Sequence, residues 1–182
     1  IISLLKMTHR FPEAGHRTAV FAGSFNPFTV GHLSILKRGL EIFDKVIVMI
    51  GHNASKKDDS ENAEKRVEEL SRLLAPFGER TEVRICSGLV APEAKALGAV
   101  ALLRGVRSVA DFEYERNMAD INRDISGIET VILTAEPRYG AISSSIVREL
   151  RSYGYDVTSF LPSSPLSTDN LSLIHISEPT RP

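Results

Sequence analysis

Apolar residues fall along this chain in two alternating patterns. Short apolar or alternating runs, rich in β-branched residues, predict buried strands at 18–22, 45–50, 82–87, 100–103 and 130–134. Between these runs, apolar residues recur at helical spacing, which predicts helices at 31–43, 64–74, 91–97, 111–124 and 145–153. This alternation predicts an α/β fold: a single Rossmann-like doubly wound domain with a five-stranded parallel sheet and helices on both faces.

Four loops of unusual composition each follow the carboxyl end of a predicted strand, at 23–31, 51–57, 104–107 and 135–144. In open parallel sheets, ligands bind beyond the carboxyl ends of the strands, at the point where the strand order reverses. We therefore expect these four loops to meet at one site.

The two ends of the chain are expected to lie outside a domain that spans 18–165. Residues 1–17 include a short stretch before Met7 and lack the order of a signal peptide, so they are expected to be a non-native or disordered leader. The string at 171–181 resembles the in-frame translation of a sequencing adaptor, so 166–182 are expected to be an artefactual tail. An ordinary disordered tail is the alternative.

Composition narrows the class of protein without identifying it. The chain has 182 residues, 42% hydrophobic and 25% charged, as in ordinary globular domains. The net charge is −1, which does not favour nucleic acid as a partner. No apolar stretch approaches the length of a membrane span, so we do not expect a membrane partner either. The single cysteine, Cys86, lies in an apolar run and is interpreted as a packing residue, and it fits a cytoplasmic location.

The loop after the first strand has features of a phosphate site. Gly23 lets the backbone turn sharply out of the strand, and the string Thr29-Val-Gly-His32 then enters a helix. Free amides and the dipole at a helix start favour phosphate, and His32 adds a donor in the same turn. A strand-to-helix turn with a chance histidine is the alternative.

Three other loops carry groups suited to phosphate. Arg104 ends a predicted strand with Arg107 close behind it, and guanidinium forks match phosphate oxygens. Lys56 and Lys57 follow the second strand, where an ammonium group could bridge two phosphates. Three hydroxyls precede the last helix, at 143–145. The alternatives are, respectively, a solvated basic turn, a surface lysine pair and simple N-capping.

These strings together resemble a known family. The residues Gly23-Ser-Phe-Asn-Pro27 and Thr29-x-Gly-His32 are similar to the T/HxGH signature of the nucleotidyltransferase superfamily. The string RGxRxxxDFEYE at 104–115 resembles phosphopantetheine adenylyltransferase. The resemblance covers 18–162. It departs at Ser24 and Asn26, where the family usually has Thr and Asp, and again at 88–93.

The resemblance implies transfer of the adenylyl group of ATP to 4′-phosphopantetheine, giving dephospho-coenzyme A and pyrophosphate by direct in-line displacement. It also implies Mg²⁺ carried with ATP, no dedicated metal site on the protein, and a homohexamer. The catalytic residues that it implies are His32, Lys56 and Arg104. For ATP binding it implies Ser24, Phe25, His32, Gly105, Val106, Arg107, Glu115, Tyr139, Ser143, Ser144 and Ser145. For the second substrate it implies Ser24, Lys56, Val90 and Arg104.

Two other functions remain open from the sequence. The first is another member of the superfamily, a nicotinate mononucleotide adenylyltransferase or a cytidylyltransferase, although residues 104–115 fit neither. The second is a nucleotide-binding module without turnover, against which His32, Lys56 and Arg104 argue.

Overall fold

The computed structural model describes residues 16–51 and 57–163. Its five strands are β1 (Thr18–Gly23), β2 (Lys45–Gly51), β3 (Thr81–Cys86), β4 (Ala101–Val106) and β5 (Glu129–Thr134). All neighbouring strands pair in parallel, in the order β3-β2-β1-β4-β5. The chain leaves β1 in one direction and returns to its other side through β4, so the strand order reverses between β1 and β4.

Within the described residues, five α-helices cover the sheet: α1 (Val30–Ile42), α2 (Lys57–Leu74), α3 (Val90–Ala96), α4 (Val109–Ser126) and α5 (Ser144–Ser152). Alternate residues of β1 point into two separate cores. Ala19 and Phe21 pack with α1 and α2, whereas Val20 and Ala22 pack with α3 and with Cys86. The doubly wound α/β fold is therefore confirmed, and Cys86 is a buried core residue as predicted.

β4 is longer than its apolar pattern predicted. The prediction of a loop at 104–107 was wrong for its first three positions, because Arg104, Gly105 and Val106 continue the strand. They pair in register with residues 132–134 of β5, and this ladder compensates for the polar side chain and the glycine. Similarly, α2 begins at Lys57, seven positions before its apolar periodicity starts.

Two glycines allow α1 to lie unusually close to β4. A Cβ atom on Gly39 would lie 2.4 Å from Cδ2 of Leu103, and one on Gly105 would lie 2.9 Å from Cγ1 of Ile35. Leu103 is completely buried, so it has little room to move away. These contacts fix the separation between the helix that begins near His32 and the strand that carries Arg104.

Replacing Gly39 by alanine is therefore expected to destabilise the protein. Alanine favours a helix by about 1 kcal/mol over glycine, but overpacking of a core costs about 1–3 kcal/mol. We expect a net loss in the free energy of unfolding, measured by urea titration. Lys37→Ala, at an exposed position of the same helix, is the matched control. A stabilised Gly39→Ala protein would contradict the close packing.

The ends of the chain lie mostly outside the described residues, which exclude 1–15 and 164–182, so the expected leader and tail stay predictions there. Arg17, the last residue of the expected leader, donates its backbone N–H to Oδ2 of Asp44 over 2.7 Å. Among the residues that the structure describes, no helix combines the length and the hydropathy of a membrane span.

Candidate active site

A cavity of about 460 Å³ opens between the carboxyl ends of β1 and β4, where the strand order reverses. Its volume is within the usual range for small-molecule sites. The predicted loops after β1, β4 and β5 all reach it, as expected. Eleven residues predicted for the site line it: Ser24, Phe25, His32, Arg104, Gly105, Arg107, Glu115, Tyr139, Ser143, Ser144 and Ser145.

His32 is held by the start of α1. Thr29 is the N-cap of this helix, and its backbone N–H donates to Nδ1 of His32 over 3.0 Å, which completes a capping box. Because Nδ1 accepts this hydrogen bond, the neutral imidazole carries its proton on Nε2. His32 lines the cavity with a fixed tautomer, and its Nε2–H makes no hydrogen bond to any residue that the structure describes.

The surroundings of His32 keep it neutral. Burial, followed by the positive charges of Arg107 and Arg104, lowers the pKa of His32 from 6.5 to about 4. The rings of Phe25 and Phe28 lie 5.2 and 5.4 Å from the imidazole centroid. At neutral pH, His32 is therefore a hydrogen-bond donor and not a charged acid.

The side chain of Arg104 is held in one orientation by hydrogen bonds to three oxygen atoms. Its Nε donates to Oε2 of Glu115 over 2.7 Å, and a second guanidinium nitrogen binds the other carboxylate oxygen. A third nitrogen donates to the carbonyl of Ala22 over 2.6 Å. Glu115 is buried at 8% exposure, so this fork-to-fork pair fixes the guanidinium at the cavity wall. Glu115 thus orients Arg104 through two direct hydrogen bonds.

Arg107 connects two walls of the cavity. Its Nε donates to Asp111 over 3.1 Å, and another guanidinium nitrogen lies 3.5 Å from the carbonyl of Ile142. Asp111 and Tyr114 also line the cavity, although neither was among the predicted site residues. The position of Asp111, four residues after Arg107 and in the first turn of α4, is the sequence signal that would have found it. Tyr114 gave no such signal, because nothing in the sequence separates it from the other aromatic and apolar residues of this helix.

The backbone between β1 and α1 is shaped by aromatic packing. Phe25 adopts a left-handed conformation with φ of 46°, and its ring is buried. A Cβ atom on Gly23 would lie 3.0 Å from that ring. The close approach of the phenylalanine ring therefore favours glycine at position 23, whereas the expected need for glycine in a sharp turn is not seen, because Gly23 ends β1 without a positive φ.

The three serines before α5 have different partners. Ser143 is the N-cap and accepts from the backbone N–H of Ile146 over 3.1 Å. Ser144 donates its hydroxyl proton to the carbonyl of Pro27 over 2.8 Å. Ser145 lies 3.4 Å from a guanidinium nitrogen of Arg148. N-capping and cavity lining therefore occur together in this segment.

Two predicted site residues are not brought to the cavity. Val106 is buried within β4, and Val90 begins α3 and packs against the core. A third, Lys56, lies outside the described residues, so its role stays a prediction. Gly51, where the chain leaves β2, lies beside Gly23, since a Cβ atom on Gly51 would lie 3.9 Å from the carbonyl oxygen of Gly23. The loop that carries Lys56 therefore starts next to the β1 end of the site.

The described part of the chain contains no group of three or more His, Cys, Asp or Glu side chains suited to hold a metal ion. Positive charge in the cavity comes instead from arginine, with the amides at the starts of α1 and α5 close by. This arrangement can hold and stabilise a polyanion.

Residues 20–150 match the family model described as cytidylyltransferase-like. A phosphopantetheine adenylyltransferase of Porphyromonas gingivalis is 49% identical over 146 residues, which cover 79% of this chain and 93% of that protein. A protein of the same name from Phocaeicola vulgatus is 48% identical, over 80% of this chain and 95% of that protein.

The fold is also similar to solved structures. A putative nicotinate-nucleotide adenylyltransferase from Vibrio parahaemolyticus matches with a TM-score of 0.56 and 14% identity, over 82% of this chain and 95% of that one. A bifunctional NMN adenylyltransferase/ADP ribose pyrophosphatase from Francisella tularensis gives 0.57 and 15%, over 81% of this chain and 44% of that one. Such low identities establish a shared fold alone.

Proposed function

Because the chain belongs to the phosphopantetheine adenylyltransferase family, we propose that it transfers the adenylyl group of ATP to 4′-phosphopantetheine, giving dephospho-coenzyme A and pyrophosphate. The observation that carries this proposal is the pairing of His32 with Arg104 in one cavity. A neutral Nε2–H donor and a rigid guanidinium fork line the same space, and transfer between two phosphate-bearing substrates needs such groups.

The reaction is an in-line displacement at the α-phosphorus of ATP. A phosphate oxygen of 4′-phosphopantetheine forms the new P–O bond while the bond to the β-phosphate oxygen breaks, and pyrophosphate leaves with the electron pair. The attacking phosphate is already ionised near neutral pH, since its second pKa is about 6, so no protein base is required. The protein has to align two anions and neutralise charge.

The predicted site residues divide between the transferred phosphoryl group, the second substrate and ATP. His32 donates from Nε2 to the α-phosphoryl oxygens as charge develops on them. Arg104 holds the phosphate of 4′-phosphopantetheine, and Lys56 assists from the loop that follows Gly51. Gly105, Arg107, Tyr139 and the serines at 143–145 bind ATP. Mg²⁺ enters with ATP as part of that substrate, bound by its phosphate oxygens.

We also propose that the protein assembles as a homo-oligomer, a hexamer by family resemblance. The support in this chain is an apolar row on α4. Tyr114, Ile121 and Ile125 share one face of the helix and are 62%, 51% and 51% exposed. Exposed apolar rows of this kind mark protein interfaces. A cytoplasmic location stays a prediction that rests on the single cysteine.

The test is pyrophosphate release by the full chain from ATP and Mg²⁺, with 4′-phosphopantetheine and nicotinate mononucleotide offered separately. We expect pyrophosphate release from ATP when 4′-phosphopantetheine is the acceptor and none when nicotinate mononucleotide is the acceptor. We also expect release to stop when EDTA removes Mg²⁺. Release with the mononucleotide alone would establish the rival activity whose known structures share this fold. No release by a protein that is folded by circular dichroism, yet binds ATP, would favour a module without turnover. Sedimentation velocity on the same sample tests assembly.

A further inference from the structure

The backbone between β1 and α1 is held from outside by side chains of two other helices. Here residues 24–29 are called the β1–α1 loop. Its carbonyls accept hydrogen bonds from Arg66 of α2, at Ser24 over 2.8 Å, and from Arg148 of α5, at Asn26. The next carbonyl, of Pro27, accepts from Ser144, the first residue of α5, over 2.8 Å. Three of the loop's first four carbonyls are therefore tied down by distant parts of the chain.

Arg66 and Arg148 are far apart in sequence from the loop, by 42 and 122 residues. Arg148 is exposed and Arg66 is half-buried. Exposed arginines usually contribute little to stability. Each of these two directs a charged donor at a main-chain oxygen of the same short loop, and such charge-assisted bonds are stronger than neutral ones.

The loop that they hold is the one that holds His32. Thr29 is the last residue of the loop, and its N–H fixes Nδ1 of His32. Phe25 and Phe28, also in the loop, pack their rings on the imidazole at 5.2 and 5.4 Å. A movement of the loop therefore moves the groups that set both the orientation and the tautomer of His32.

We propose that Arg148 and Arg66 are positioning residues for adenylyl transfer, which keep the β1–α1 loop in the conformation that orients His32. Neither lines the cavity around His32, so neither contacts the substrates directly. Arg148 also lies 3.4 Å from the hydroxyl of Ser145, which lines the cavity, and a double-mutant cycle with His32 separates that contact from an effect on the loop. This inference rests on the proposed function for its kinetic consequence, while the effect on the loop itself is independent of any reaction.

The first measurement is kinetic. Arg148→Met is expected to lower kcat by about tenfold and to change KM for ATP by less than about twofold, because His32 acts in the transition state. Arg66→Met is expected to act in the same direction. The matched controls are Arg151→Met on α5 and Arg72→Met on α2, both exposed positions, and both are expected to retain the kcat of the wild type. Arg148→Lys, which restores a charged donor, is expected to recover part of the loss.

A double-mutant cycle with His32 separates positioning from general destabilisation. If Arg148 acts through His32, then Arg148→Met in a His32→Ala background lowers kcat by less than about threefold. A full additional tenfold loss in that background would overturn the inference, because Arg148 would then act by another route. So would an Arg148→Met protein with the same kcat as Arg151→Met.

Hydrogen exchange of the peptide that contains residues 24–29 gives a readout that does not depend on activity. We expect faster exchange there in Arg148→Met than in Arg151→Met, with unchanged exchange in β2. Equal exchange in the two variants would overturn the inference even if the wild type catalysed no adenylyl transfer. A wild type without turnover, but with faster loop exchange in Arg148→Met, would instead count against the proposed function alone.

Discussion

His32→Gln is expected to lower kcat by about 10²- to 10³-fold while leaving the fold intact. Glutamine is a natural partner in a capping box, so it can accept the N–H of Thr29 and keep the start of α1. Its amide N–H is not held at the position of the Nε2–H of the rigid imidazole, and loss of one well-placed donor to a developing negative charge costs about this much. Steady-state pyrophosphate release measures kcat, and thermal unfolding measures the fold.

His32→Ala is the informative comparison. It removes the donor and the capping acceptor together, so we expect the same loss of kcat plus a loss of about 1 kcal/mol in the free energy of unfolding. If His32→Ala retained kcat within a few fold of the wild type, the Nε2 donor would not stabilise the transition state. A large rise in KM with unchanged kcat would place His32 in ground-state binding.

The lowered pKa of His32 also predicts how stability depends on pH. In the unfolded chain, the imidazole binds a proton near its ordinary pKa of 6.5, whereas in the folded protein it does so only near 4. As the pH falls from 6.5 to 4, the unfolded chain gains the proton first, so the folded state loses stability, by up to about 3 kcal/mol. His32→Gln is expected to lose less over the same range, as measured by urea unfolding at several pH values.

Arg104→Met is expected to have the second large effect, on both activity and stability. It removes the guanidinium fork proposed for the substrate phosphate, so we expect kcat/KM for 4′-phosphopantetheine to fall by about 10²-fold or more. It also leaves the buried carboxylate of Glu115 without its partner. Breaking such a pair costs about 3 kcal/mol in the free energy of unfolding.

The double variant Arg104→Met/Glu115→Met separates these two effects. With both charges replaced by apolar side chains, stability is expected to return close to that of the wild type, because no unpaired charge is left in the interior. Activity is expected to stay as low as in Arg104→Met. Recovery of activity in the double variant would mean that the guanidinium of Arg104 has no direct part in binding or transfer.

Local patterns in the chain are enough to predict the layers of the fold and most of the residues that line the cavity. Strand and helix patterns depend on residues near one another in the chain, so all five strands and five helices were predicted, although the start of α2 was missed by seven positions and the end of β4 by three. The turn at 23–32 also carries local information, since a glycine, a helix start and His32 follow one another within ten positions. The family strings at 104–115 then selected one reaction among those that the superfamily catalyses.

Features that join residues distant in sequence emerge only when the elements pack together. β4 extends through Arg104 and Gly105 because β5 pairs with it, which the apolar pattern of β4 alone does not reveal. Arg104 and Glu115 were predicted separately, as ligands of two substrates, and only the packing of α4 on β4 joins them into one fork. The hydrogen bond from Arg148 to the carbonyl of Asn26 crosses 122 residues. Periodicity reports which face of an element is buried, whereas hydrogen-bond partners depend on how the elements are placed against one another.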